Sequence, residues 1–399
     1  MKTIIYLVTY ILYPFSFLFI RNKNRIAFGS FRGSFNDNSK YLFLYASNNC
    51  LDTDVAWLSD NGSTVAKVRS LGLNAYKVTS LRGAWYALTA KYWFFNAYTS
   101  DIMFFLSGGA VCINLWHGVG IKRIEYNITT GPLARMYEKK DFKNMFFHPQ
   151  VFRKPDYVLS STPFQTHFFS TSFRVEGKKC LEFGYPRNEV LVCSEVERKT
   201  FLQQYGGEKE KYLYQRMKEA RRVFVYMPTW RDSQLELFTQ GMDLNRLDAA
   251  LGQRGDLMLL KPHANVHVVA QEYVKFANLI FVEGETDLYP LLPYTDVLIT
   301  DYSSVLYDYI LMEKKGVILY LYDYSQYVSM RDFFYPFDEN VIGKRVYDFD
   351  SLLKAMDNED CMLNDSERLP LVEKFWGDTI HQDSRSRLMN FVGDRTINC

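Results

Sequence analysis

The stretch "DVLITDYSSVLYDYILMEKKG", residues 296–316, places three kinds of sequence in a row. "VLIT" is an uninterrupted apolar run, "DYSS" a short polar turn, and "VLYDYILM" a run with helical spacing. A strand that is apolar at every position is buried on both faces, which happens in parallel sheets covered by helices. Thr300 ends that strand. In the turn, Asp301, Ser303 and Ser304 bring hydroxyls and backbone N–H groups to a helix N-terminus, an arrangement that binds anions and phosphate above all. Asp308 comes one turn into the helix, on a face suited to a ribose diol. Read more plainly, the same residues are a capping serine pair and a solvated aspartate.

Outward from this stretch the pattern repeats. "VFVYMPTW", "LMLLKPH", "LIFVEG" and "VILYLYD" are further strands of a second series, separated by helical spans. An earlier series runs through "RIAFGSF", "VAWLS", "AKYWFFNA", "AVCINLW", "PDYVLSST" and "CLEFGYPR". Strands alternating with helices predict doubly wound parallel sheets, and 399 residues exceed what one core usually supports. The expected fold class is therefore α/β, with two Rossmann-like domains facing a cleft and ligands at the carboxyl ends of the strands. The charged helical connector "SEVERKTFLQQYGGEKEKYLYQRMKEARR" sets the boundary, giving domains over 25–215 and 216–399. "FWGDTIHQDSRSRLMNFV" closes the second of them.

Residues 1–24 depart from this pattern. "TIIYLVTYILYPFSFLFI", Thr3 to Ile20, is uncharged over 18 residues and contains Pro14. As one helix it reaches about 27 Å, just short of a bilayer core of about 30 Å. Arg21, Lys23 and Arg25 come directly after it and favour the cytoplasmic side. A membrane-associating segment is expected, either a short span or an interfacial helix kinked at Pro14. Net charge is +2, so the overall balance does not indicate nucleic acid. The six cysteines have no metal-finger spacing and read as free thiols in a reducing compartment. No Asp/Glu/His/Cys cluster has metal-ligand spacing, so no tightly held metal or cofactor is expected.

Several strand ends carry chemistry. "NLWHGVGIKRI", residues 114–124, delivers His117 between a tryptophan and the glycines Gly118 and Gly120, with Lys122 beyond. A polar ring at the end of a buried strand, with glycine next to it, fits a site where backbone passes close to a ligand. "LLKPHANV" gives Lys261 and His263, "YMPTWRD" gives Thr229 and Arg231, and "FGYPRNEV" gives Gly184, Pro186, Arg187 and Asn188. Each alone is a turn signal. Together they suggest a binder of a phosphorylated, nucleotide-like ligand. The basic and aromatic stretch "YEKKDFKNMFFHPQVFRK", residues 137–154, is expected near anionic membrane or anionic polymer.

These segments, in this order, resemble the CDP-glycerol glycerophosphotransferase family of teichoic acid and capsule polymer primases and polymerases. "SFNDNSKYLFLYA", "AKYWFFNA", "NLWHGVGIKRI", "FGYPRNEVL", "YMPTWRD", "LLKPH", "DLYPLLPYTDVLITDYSSVLYDYI", "VILYLYDYSQY" and "RDFFYPF" carry the likeness across roughly residues 25–390. The resemblance implies a GT-B fold and metal-independent, inverting transfer of a polyol phosphate from CDP-glycerol or CDP-ribitol to a hydroxyl of a polymer or lipid-linked saccharide acceptor, releasing CMP. It implies His117 as general base, His263 steadying the pyrophosphate, and Ser303 and Ser304 binding it. Asp308 would hold the ribose, with Arg231 and Arg331 as phosphate contacts. Thr229, Thr300 and Asp301 fall with this donor-side group, and Gly118, Gly120 and Lys122 with the acceptor side. The implied location is the cytoplasmic face of the cell membrane.

Two departures stand out. The family commonly continues Trp-His-Gly with Thr-Pro, where this chain has Val119–Gly120. The usual Pro-Gly-Pro after "RDFFYPF" is here "VIGK". Ribitol phosphate in place of glycerol phosphate, a GT-B glycosyltransferase using a nucleotide sugar, and a non-catalytic polymer-binding scaffold are the competing readings.

Overall fold

The computed structural model describes residues 10–131, 134–137, 142–229, 241–261, 276–330 and 332–397. The chain divides into two compact units. Unit 1 comprises the residues up to Val119, Arg123–Glu189 and those from Phe375 on; unit 2 comprises Gly120–Lys122 and Val190–Lys374.

In unit 1 the strands are β1 (Asn22–Phe28), β2 (Asp54–Ser59), β3 (Ala75–Lys77), β4 (Ala90–Phe95), β5 (Val111–Asn114), β6 (Tyr157–Ser160) and β7 (Cys180–Glu182). Helices α1 (Asp37–Asn49), α2 (Gly62–Ser70), α3 (Leu81–Thr89) and α4 (Pro163–Phe173) run between them. Asn61, Ser80 and Thr162 cap α2, α3 and α4 by accepting backbone N–H groups, which starts each helix where its amphipathic run begins. All pairings are parallel, in the order β3-β2-β1-β4-β5-β6-β7. Trp57, Trp93, Phe28 and Phe94 are fully buried along the central strands, as expected of a sheet covered on both faces.

Unit 2 opens with α5 (Glu195–Tyr205) and α6 (Glu208–Glu219). A capping box between Ser194 and Glu197 starts α5. The chain continues through β8 (Val223–Tyr226), α7 (Leu244–Arg254), β9 (Leu257–Leu260), β10 (Leu279–Phe281), β11 (Val297–Thr300), α8 (Val305–Tyr309) and β12 (Gly316–Tyr320). The series ends with α9 (Tyr324–Met330), β13 (Lys344–Val346), α10 (Phe349–Asp357) and α11 (Asp365–Phe375). Its sheet is also parallel, in the order β10-β9-β8-β11-β12-β13. Phe224, Met258, Leu260, Ile299 and Ile318 meet Leu247, Leu251 and Leu352 from the covering helices in one core.

Both sheets are wound the same way. The chain moves outward over three strands, returns beside the first, and moves outward the other way, so the order reverses between β1 and β4 and between β8 and β11. Crevices at the carboxyl ends of strands at such a reversal are where open α/β sheets bind ligands.

Two expectations need correction. The uncharged N-terminal run does not form one long helix among its described residues. Helix ends at residue 15, a 3-10 turn covers Ser16–Leu18, and the chain is extended at Phe19. No helix of the described residues is long and apolar enough to cross a membrane. The basic flank that follows is tied into unit 1. The Arg21 guanidinium donates to the carbonyls of Ala87, Ala90, Leu106 and Gly108, and Arg25 pairs with Asp54 at 2.7 Å.

The domain boundary falls at Glu189/Val190 rather than near 215, and the closing helix α12 (Ser384–Ile397) belongs to unit 1. The reason is local packing. Phe391 packs edge-on against Tyr157 and Phe183, Arg385 lies over Tyr45, and the Ser384 N–H donates to Glu189.

Candidate active site

In unit 1 the residues after β5 lift one histidine into view. Asn114, itself buried, donates from Nδ2 to the Ala97 carbonyl at 2.9 Å and accepts the Trp116 N–H at 2.8 Å. That pair of bonds turns the chain sharply. Trp116 is left with φ of +51°, a conformation that costs a non-glycine residue about 1–2 kcal/mol. The Trp116 carbonyl accepts Asn38 Nδ2 at 3.0 Å, and its ring packs on Phe173 at 5.0 Å. The His117 ring lies 4.1 Å from the Trp116 ring and is exposed at the surface of unit 1. Gly118 comes next with φ of +132°, which L side chains rarely adopt, so the backbone itself requires glycine there.

The imidazole is oriented from behind. His117 Nδ1 faces the Asn96 carbonyl at 3.4 Å, a long contact that favours the proton on Nδ1 and leaves Nε2 as the basic nitrogen. Asn96 is buried and bonded all round. Its Oδ1 accepts the Ser39 N–H and Oγ at 3.1 and 3.0 Å, and its Nδ2 donates to Ser30 Oγ at 2.8 Å. Arg187 completes the support by pairing with Asp37 at 2.6 Å while its N–H donates to Asn38 Oδ1. Arg187 is therefore part of the scaffold under the Trp116 loop.

Beside this loop, Tyr98 and Tyr137 both donate to the Glu125 carboxylate, at 2.8 and 2.9 Å. Burial raises the Glu125 carboxyl to about 6. Asp101, also buried, is pushed up to about 7 by desolvation, opposed by backbone N–H donors.

In unit 2 the reversal point is built differently. Thr300 is fully buried and its hydroxyl donates to the Met227 carbonyl at 2.7 Å, tying β11 to β8. Thr300, expected on the donor side, has its hydroxyl engaged by this backbone tie. Asp301 Oδ1 accepts the N–H groups of Thr229 and Tyr302, at 2.8 and 2.5 Å, and so organises the turn. Ser303 and Ser304 are half-exposed. Helix α8 behind them is only five residues long, shorter than its run of helical spacing suggests.

Asp308 is fully enclosed and accepts the Tyr289 hydroxyl at 2.5 Å. Asp308 is thus buried with one carboxylate oxygen engaged, where an open face was expected. The Lys261 ammonium donates to the carbonyls of Glu283, Gly284 and Thr286, and burial lowers it to about 8.

Gly120 and Lys122 belong to unit 2, not to the acceptor-side domain with His117 and Gly118. The cause is backbone pairing: Lys122 bridges Phe333, and the Ile121 carbonyl accepts the N–H groups of Phe334 and Tyr335 at 2.6 and 3.3 Å. A Cβ built on Gly120 would meet Ser304 Cβ at 3.8 Å, so this strap lies over the serine turn. Arg231, His263 and Arg331 lie outside the described residues, as do Lys139 and Lys140 of the basic stretch. Among the described residues no group of three or more His, Cys, Asp or Glu is placed to hold a metal ion.

Asn38, Asn96, Asn114 and Asp101 do not stand out in the sequence. Their signal is nevertheless present: each is a polar residue at the edge of an otherwise apolar strand or helix run, where burial obliges it to find partners.

Comparison with known proteins adds an independent line. The sequence model described as "CDP-Glycerol:Poly(glycerophosphate) glycerophosphotransferase" matches residues 11–392. A teichoic acid glycerol-phosphate transferase of Staphylococcus aureus is 28% identical over 354 residues, covering 86% of each chain. A teichoic acid ribitol-phosphate primase of Bacillus spizizenii is 29% identical over 290 residues, covering 71% of this chain and 69% of that one. Among solved structures, the wall teichoic acid polymerase TagF superposes with a TM-score of 0.72 at 23% identity, over 94% of this chain and 90% of that one. At that identity the likeness speaks for the fold.

Proposed function

This chain belongs to the CDP-glycerol:poly(glycerophosphate) glycerophosphotransferase family, and we propose that it moves a polyol phosphate from a CDP-linked donor to an acceptor hydroxyl, releasing CMP. The observation that carries the mechanism is the exposed His117 ring with Nδ1 turned to a backbone carbonyl. Nε2 takes the proton of the acceptor hydroxyl as its oxygen attacks the phosphorus of the polyol phosphate. The bond from that phosphorus to the bridging oxygen breaks, and CMP leaves with the electron pair. Ser303, Ser304 and the N–H groups of their turn receive the donor's phosphates, with Thr229 beside them. Gly118, required by its backbone conformation, falls on the acceptor side. Glycerol phosphate is the donor group proposed; the ribitol-phosphate primase among the relatives makes ribitol phosphate the second reading.

The test is His117→Ala. Turnover should fall by about two to four orders of magnitude, the range for loss of a general base, with CDP-glycerol affinity held. Normal turnover would sink the assignment. CMP release from CDP-glycerol, CDP-ribitol and nucleotide sugars, run side by side, decides the donor and excludes or installs a glycosyltransferase.

The proposed location is the membrane surface, through an apolar face of unit 1. Phe15, Phe17, Leu18 and Ile20 are exposed, the last at 90%. Phe19 meets Trp85 edge-on, joining this segment to Leu81 and Trp85, which are exposed one turn apart on α3. So much contiguous apolar surface fits insertion into the interface rather than a crossing. Replacing Leu18, Ile20 and Leu81 by serine should release the protein from anionic vesicles on sedimentation; retained binding would place attachment elsewhere.

A further inference from the structure

We propose that Asp101 is a positioning residue for His117, acting through the peptide group that joins Asn96 to Ala97. The inference rests on the reading of His117 as the base. The carbonyl of that peptide faces His117 Nδ1 at 3.4 Å, and its N–H, on Ala97, donates to Asp101 Oδ2 at 2.8 Å. The oxygen and hydrogen of a trans peptide lie on opposite sides of one rigid plane. Holding the N–H therefore aims the carbonyl.

The same Oδ2 also accepts the Asn96 N–H at 3.0 Å, so two successive donors converge on one buried carboxylate. The Asn96 side chain is clamped by Ser30 and Ser39, which keeps the peptide from rotating as a unit. In its ionised form, which the converging N–H donors favour, Asp101 polarises the peptide and strengthens its carbonyl as an acceptor for Nδ1–H. Asp37 of α1 acts on Asp101 through its charge, and Asp37 is itself paired with Arg187 at 2.6 Å. Asp101 does not reach the imidazole. Its influence passes through a single peptide group, and it selects the tautomer that leaves Nε2 basic.

A purely structural aspartate would cap the turn Thr99–Asp101 and do nothing more. Ring nitrogen shifts separate the two cases. Full-length enzyme labelled with 15N-histidine is compared with Asp101→Ala and Asp101→Asn, the His117 signals being assigned by their loss in His117→Gln. Turnover at saturating CDP-glycerol, CDP-glycerol affinity and melting temperature are read on the same samples.

Asp101→Ala should convert His117 from the Nδ1–H form to a mixture of tautomers. Turnover should fall about 10- to 100-fold, the usual effect of losing such a support, with affinity within about twofold. Asp101→Asn, which keeps an oxygen for the two N–H groups without the charge, should lose about fivefold and shift the ring signals the same way. Wild-type ring signals and turnover in either folded variant overturn the proposal. If Asp101→Ala does not fold, Asp101→Asn decides alone. Normal turnover in His117→Ala would defeat the base assignment, while the ring signals of the Asp101 variants would still report whether the link exists.

Discussion

The ends of β1, β4 and β5 in unit 1 and the ends of β8 and β11 in unit 2 occupy equivalent places in the same winding, yet they are made of different chemistry. Unit 1 uses amides. Asn38, Asn96 and Asn114 bridge the backbone, and Asn96 and Asn114 each donate and accept at once. Unit 2 uses groups that mainly do one thing. Asp301 only accepts and Lys261 only donates, so each gathers a turn around itself. An amide tie can hold a loop against its own preference, as Trp116 with φ of +51° requires. A carboxylate tie leaves the turn's outer hydroxyls to face solvent. The first arrangement fixes one side chain sharply, and the second offers an edge of small polar groups.

The contrast breaks most visibly at Asn114. Asn114→Ala removes both bonds that turn the chain into Trp116, and turnover should drop about 10- to 100-fold while CDP-glycerol affinity stays nearly constant. Calorimetry and saturating-donor kinetics on one sample check this. Equal losses in affinity would mean the two reversal points do not divide the labour.

The electrostatic side of the comparison is next in size. Glu125 in unit 1 is raised from 4.5 to about 6 by burial, so the folded state holds its proton more tightly than the unfolded one. Its contribution is fully present below about pH 4.5 and is lost as pH rises through 6. Relative to Glu125→Gln, wild type should lose about 2 kcal/mol at most across that window. Lys261 in unit 2, lowered to about 8, has the opposite sense: stability linked to it rises as pH climbs from 8 towards 10.5. Urea midpoints of wild type, Glu125→Gln and Lys261→Met at a series of pH values measure both slopes. A Glu125→Gln variant that parallels wild type throughout would remove the acid from the account.

The smallest expected effect sharpens the donor side. Ser304→Ala should weaken CDP-glycerol binding about five- to tenfold, the worth of one hydrogen bond of about 1–1.5 kcal/mol, with turnover at saturation within twofold. The reverse pattern, normal affinity with slow turnover, would move Ser304 from binding to chemistry.

The winding of both sheets was legible because each central strand carries a buried run at its carboxyl end: Ile26–Phe28 in β1, Tyr92–Phe95 in β4, Val223–Tyr226 in β8 and Val297–Thr300 in β11. The edge strands β3 and β13 were not. Each has three residues, and Lys344–Arg345–Val346 offers no apolar run to read. The connector helices α5 and α6 were visible, but not their membership of unit 2 rather than unit 1, since that depends on long-range contacts. His117 stood out because a ring at a strand end is conspicuous. Its supports did not, because an asparagine at a strand end reads as a turn signal until its partners, up to 149 residues away in the case of Asn38 and Arg187, are known. The enclosure of Asp308 by Tyr289 was hidden for the same reason.

The chain passes between its units at 119/120, 122/123, 189/190 and 374/375. On the ribosome this has an order. Every residue of unit 2 has been synthesised before α12, which packs on the residues around Tyr157 and Phe183 in unit 1, emerges. Unit 1 therefore waits, incomplete along one face, through the synthesis of 185 residues of its neighbour, Val190–Lys374, and domain-by-domain folding from the N-terminus is closed to it. A fragment ending near residue 374 inherits the same exposed face permanently. Nascent chains arrested before α12 should recruit holdase chaperones through unit 1, and supplying the 375–397 segment in trans should relieve that demand.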